Sequence, residues 1–196
     1  MASGEIRAGA HTTDVNAFWA ELSAWEHLVQ IYEADDVFMD TLVGFVSGGL
    51  KEGQAAVVIA TPAHRQGLER RLIKIGVDVA EARARDQFIC LDAEETLAKF
   101  MVDGWPDENR FAAVVSDLLD RARRDGRQVR AFGEMVAVMW ANRYHGATVR
   151  LEHLWHHICQ RESFALFCAY PKAGFTENAS ASIAKVCAAH SKVLAA

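Results

Sequence analysis

Apolar residues along this chain follow two alternating patterns. Short runs of strand length, His27 to Tyr32, Ala55 to Thr61, Phe88 to Asp92, Val129 to Glu134 and Phe164 to Tyr170, are separated by longer segments whose apolar positions recur every three or four residues. The short runs predict strands and the longer segments helices, so the alternation predicts parallel strands joined by helical crossovers. Central runs such as Ala55 to Ala60 and Phe164 to Ala169 are apolar without alternation, which is expected when helices cover both faces of a sheet. The expected fold is therefore α/β, a three-layer sandwich with a mostly parallel central sheet.

Punctuation supports the helices. Phe38, Leu42, Phe45 and Val46 form one stripe behind Asp35 and Asp36, which suit a helix start, and Gly53 suits its end. Leu68, Leu72 and Ile75 form a second stripe that stops at Gly76, and Phe111 to Ala122 a third that stops at Gly126. Ahead of the regular pattern, Phe18, Trp19, Leu22 and Trp25 are spaced for a short amphipathic helix or docking arm. The organisation expected is an arm over 1–24 and a single domain over 25–196.

Composition narrows the function classes. A chain of 196 residues, 51% hydrophobic and 24% charged, suits one domain with a continuous core. Its formal net charge of -5 provides no basic footprint for phosphates or anionic lipid, so neither nucleic acid nor membrane is an expected partner. The four cysteines, Cys90, Cys159, Cys168 and Cys187, form no C-x-x-C pair and read as reduced core thiols. With neither a leader pattern nor a long apolar run, the expected location is cytoplasmic.

Strand ends in such a sheet share one edge, and ligands usually bind in the crevice there. Tyr32, Glu33, Thr61, His64, Glu134 and Tyr170 arrive at that edge, with Met135 and Trp140 on the helix that follows Glu134. These eight are the candidate ligand-binding residues. A phosphate-binding loop would need glycines and a lysine after the first strand, but Glu33, Asp35 and Asp36 stand there, and carboxylates repel polyphosphate. Glu134 suits a ligand, a buried arginine such as Arg130, or backbone amides of a helix start. Nothing ties a nucleophile or second carboxylate to it, so no catalytic residue is assigned and the chain is not expected to be an enzyme.

His153, His156 and His157 have spacing that can gather metal ligands. Leu151, Leu154, Trp155 and Ile158 define the opposite, apolar face of the same helix, so a solvated polar face is the plainer reading. No cofactor is assigned, and this triad is the alternative metal set.

Five segments carry a family resemblance: His27-Leu-Val-Gln-Ile-Tyr32, Ala60-Thr-Pro-Ala-His64, Leu91-Asp-Ala-Glu-Glu-Thr-Leu97 leading to Phe100-Met-Val-Asp-Gly104, Arg130-Ala-Phe-Gly-Glu-Met-Val136, and Cys168-Ala-Tyr-Pro171. Together they resemble the MEDS family, the methanogen and methylotroph sensory domain named for a dichloromethane-responsive regulator. The resemblance spans roughly His27 to Phe175. It implies a fold similar to RecA and KaiC cores without a working phosphate-binding loop. It also implies a sensory role toward small hydrocarbon derivatives, in chains that usually carry kinase, helix-turn-helix or anti-sigma-antagonist modules. No such output module is recognised in this chain, so the signal is expected to pass to a separate kinase or transcription regulator, or through a homodimer. The alternatives are a nucleotide-binding or enzymatic RecA-like protein, a pure interaction protein, and a metal- or haem-linked sensor using the histidine-rich helix.

Overall fold

The computed structural model describes residues 22–175, 179–188 and 190–194. Six strands form one sheet in which every pairing is parallel: β1 (His27–Tyr32), β2 (Ala55–Ala60), β3 (Phe88–Asp92), β6 (Val129–Gly133), β7 (Ala165–Pro171) and β8 (Lys192–Leu194), in the order β3-β2-β6-β7-β1-β8. The expected strands are present to within a residue at each end. The helical arm falls largely on residues outside those described.

Alternation along the strands sorts side chains onto two faces. From β7, Ala165, Phe167 and Ala169 join Leu28 and Tyr32 of β1 beneath α1 (Asp35–Lys51), α2 (Pro62–Lys74) and α3 (Val79–Ala84). Leu166, Cys168 and Tyr170 join Val29 on the opposite face, beneath α4 (Ala93–Leu97), α5 (Glu108–Ala122), α6 (Met135–Ala141), α7 (His145–Glu162) and α8 (Ala179–Ala188). The aromatic cores differ too: Phe38, Phe45, Phe132 and Phe167 fill the first face, and Phe100, Phe111 and Trp155 the second.

Asp78, Asp92 and Asp107 cap α3, α4 and α5 by accepting from backbone amides of the first turn. Asp35 and Asp36 do not cap α1, whose N-cap is Ala34. Two features lie outside the expected pattern. Met101–Val102 and Trp105–Pro106, β4 and β5, form a small hairpin whose turn, Asp103-Gly104, has φ of 49° and 78°, and an Asp-Gly pair is the sequence signal for such a turn. After α8 the chain adds β8 beside β1, with the Ser191 amide donating to the His27 carbonyl at 2.8 Å.

Arg130 is buried at the amino end of β6, where it donates to Gln54 Oε1 at 2.6 Å and to the Phe45 carbonyl at 3.2 Å. A Cβ on Gly49 would stand 2.8 Å from its Cδ, so only glycine lets the guanidinium stem pass. Arg130 is thus at the opposite end of the strand from Glu134, which removes the arginine from the three alternatives for that carboxylate.

Candidate functional site

Two polar clusters occupy opposite faces of the sheet. The first lies at the carboxyl edge between β2 and β6. The Glu134 amide extends the ladder by donating to the Ile59 carbonyl at 2.8 Å, which aims the carboxylate at the start of α2. There Thr61 donates its amide to Oε2 at 2.8 Å and its hydroxyl to the same oxygen at 3.1 Å, and His64 Nδ1 meets Oε1 at 2.7 Å. His64 Nε2 faces Asp35 of α1 at 3.2 Å. The Glu134 hydrogen bond raises the His64 pKa above its ordinary value; burial opposes the shift and Asp35 adds to it. Tyr32 stacks on Phe38 with ring centroids 4.6 Å apart, and burial, then Glu134 and Asp35, hold its phenol protonated.

This cluster is internally satisfied. Both ring nitrogens of His64 face carboxylates, and Glu134 takes the amide of the residue that starts α2. Of the alternatives for Glu134, the observed one is a carboxylate serving a helix start, but that of α2 rather than of its own helix. Glu33 is exposed and paired with Lys172. Met135 is fully buried in the core of the opposite face. The eight candidates therefore divide: Tyr32, Thr61, His64 and Glu134 cluster, Glu33 and Met135 stand apart, and Trp140 and Tyr170 meet elsewhere.

Trp140 and Tyr170 line a cavity of about 270 Å³ between α6, α7 and α8. Val149 and Val186 contribute apolar wall, and Thr148, Glu152, His153, Ser182 and Lys185 bring polar side chains to the lining. The two rings stand edge to face at 6.3 Å, and Trp140 Nε1 donates to the Gly174 carbonyl at 3.0 Å. The Tyr170 hydroxyl donates to Glu152 Oε1. Around the other oxygen of Glu152 lies the second cluster: His27 Nε2 at 3.6 Å, His190 Nε2 at 3.4 Å and Cys168 Sγ at 3.8 Å, with His27 Nε2 also 3.4 Å from Cys168 Sγ.

All four of these side chains are buried. Desolvation first, then the neighbouring His190, lowers the His27 pKa to about 3, against the pull of Glu152, so that imidazole is neutral. Burial pushes the Glu152 carboxyl up, but the neighbouring His190 and the hydrogen bond from Tyr170 outweigh it and lower its pKa. The Cys168 thiol is pushed well up by burial and by Glu152.

Over residues 26–191 the sequence matches the family described as MEDS, the MEthanogen/methylotroph, DcmR Sensory domain. The chain belongs to the MEDS family. MEDS is a family of sensory domains, so the role is sensory in class. No curated protein matches the chain in sequence. Among solved structures, the chain is similar to one described as "Structural study of Project ID PH0250 from Pyrococcus horikoshii OT3", at 11% identity and a TM-score of 0.59, over 92% of this chain and 86% of that one. At that identity the likeness concerns the α/β fold alone.

Sequence reasoning placed Cys168 and Tyr170 of this MEDS domain on a central strand but missed Glu152 and His190. Of the α7 triad, His153 and His157 are exposed and His156 is half-buried, whereas Glu152, next to His153, is buried in the core. One available signal was a carboxylate at an inward position of that helix, since Glu152 is one residue from Leu151 and three from Trp155. No helix among the described residues is long and apolar enough to cross a membrane.

Proposed function

We propose that this MEDS domain is a non-catalytic sensor that takes a small, largely apolar organic molecule into the cavity beside Trp140 and Tyr170. The single observation that supports this reading is the cavity itself: a largely apolar wall with Glu152 and Tyr170 at one polar end. Ligand sites commonly combine apolar walls with a few fixed polar groups. Its size, about 270 Å³, exceeds the roughly 150 Å³ that holds benzene in an engineered apolar cavity, so a compact aromatic or halogenated hydrocarbon suits it.

The signal leaves through α8 and β8. Val186 of α8 is both cavity wall and core, and β8 is only three residues long, at the end of the sheet as described. A guest that favours one seating of α8 shifts its population by its differential affinity. A separate kinase or transcription regulator then reads the altered surface, in the cytoplasm.

Thermal melts with benzene and chlorobenzene test the site. Saturating guest should raise the Tm of the parent, and Val149→Trp, which fills the mouth, should abolish the rise while His64→Ala retains it. The reverse pattern would move the pocket to the carboxyl edge and overturn the assignment. Magnesium-dependent ATP binding in equilibrium dialysis would favour the nucleotide-binding alternative instead.

A further inference from the structure

The geometry points to a zinc-type transition-metal site formed by His27 Nε2, Cys168 Sγ, His190 Nε2 and Glu152 Oε2. These four donor atoms come from β1, β7, the segment between α8 and β8, and α7, and all lie within 4.8 Å of one another. A tetrahedral ion with metal–nitrogen and metal–oxygen bonds of about 2.0–2.1 Å and a metal–sulfur bond of about 2.3 Å separates its donors by roughly 3.3–3.6 Å. Three of the observed separations are 3.4, 3.4 and 3.6 Å and a fourth is 3.8 Å. A charge-assisted hydrogen bond would instead draw nitrogen and carboxylate oxygen to about 2.7–2.9 Å.

The tautomer of His190 is set for ligation. Its Nδ1 lies 2.7 Å from the Val186 carbonyl, which can only accept, so Nδ1 is the donor and Nε2, facing Glu152, is the nitrogen left to ligate a metal. That buried Nε2 has no hydrogen-bond partner, on a side chain with no exposed surface. A ligand histidine fixed through its other nitrogen by a carbonyl, and a ligand carboxylate fixed by a hydroxyl, are the usual outer support of a metal. Val186 and Tyr170 supply that support here.

Charge and donor chemistry select the ion. Two neutral imidazoles, one carboxylate and one thiolate balance a divalent cation, so the filled site buries no net charge. Cys168 gives up its thiol proton to solvent as the metal–sulfur bond forms. Mixed nitrogen and sulfur ligation in a tetrahedral set suits Zn²⁺ or Co²⁺ rather than Mg²⁺ or Ca²⁺. The ion would fasten the carboxyl-terminal segment onto β1 and β7. Glu152 and Tyr170 border both this site and the ligand cavity, but metal uptake does not depend on a guest in the cavity.

The test uses the full chain without a histidine tag, stripped by a chelator and shown by circular dichroism to remain folded, then titrated with Co²⁺ and, in competition with a chromophoric chelator, with Zn²⁺. One ion per chain is expected, with tetrahedral Co²⁺ absorption and a thiolate-to-cobalt charge-transfer band. Cys168→Ser should remove that band, Tyr170→Phe should weaken binding about 10- to 100-fold, and a His153→Ala/His157→Ala double variant should bind like the parent. Failure of the folded, stripped parent to take up one equivalent would overturn the site. So would Co²⁺ binding without the sulfur band, or binding lost in the double variant.

Discussion

The two clusters contain similar residue types and solve opposite problems. At the carboxyl edge, Glu134 collects donors that the fold supplies in any case: the amide that starts α2, its hydroxyl, and a histidine one turn later. In the buried cluster, Glu152 receives one protein hydroxyl on one oxygen, while its other oxygen faces two imidazoles and a thiol at 3.4 to 3.8 Å. The edge histidine is stabilised as a cation, and the buried His27 is held neutral. A buried carboxylate at a strand end beside a helix start can be completed by the backbone, whereas one within a helix has to be completed by whatever the tertiary fold brings to it.

Removing each carboxylate should therefore have unequal effects. Glu152→Ala leaves the Tyr170 hydroxyl and two imidazoles without their buried partner and should cost about 3–5 kcal/mol in urea denaturation. A loss below about 1 kcal/mol would erase the distinction between the clusters. Glu134→Ala removes charge-assisted bonds whose donors, Thr61 and His64, are partly exposed and should cost about 2 kcal/mol in the same measurement. Protection of the Thr61 amide from hydrogen exchange should fall with it.

A weaker and more specific effect concerns pH. Because Glu134 and Asp35 raise the His64 pKa on folding, the native state binds the proton more tightly than the unfolded chain. The stabilisation is fully present below the unfolded pKa of about 6.5 and is lost as pH rises through the higher folded value. Urea midpoints of the parent should fall over that window, and His64→Gln should flatten the fall. The smallest effect is expected from Glu33→Gln, because this exposed carboxylate only pairs with Lys172 at the surface. It should leave both the Tm and the response to benzene unchanged; a lost response would return Glu33 to the binding site.

Much of the edge was legible in advance. Thr61, His64 and Glu134 lie directly after strands that sequence pattern locates, and neighbouring parallel strands deliver their ends to a common edge. Their joint role was less legible. Pattern alone left Glu134 equally suited to ligand, arginine or amides, because strand order decides which helix start lies opposite it. The solvated polar face read for the histidine-rich helix agrees with exposed His153 and His157, but periodicity did not distinguish Glu152, on the inward side, as a polar group in the core.

By itself the sequence determined the alternation of strand and helix, the glycine stops, and the carboxylates after β1. Each follows from periodicity or local backbone chemistry within a few residues. Tertiary structure alone decided that His27 and Cys168, 141 residues apart, share a face and a neighbour. It also decided that the chain after α8 returns as a strand beside β1, carrying His190 to the same point. Periodicity states which side chains of an element share a face but not what lies across from them. That depends on strand order and crossover path, which are settled by packing the whole core at once.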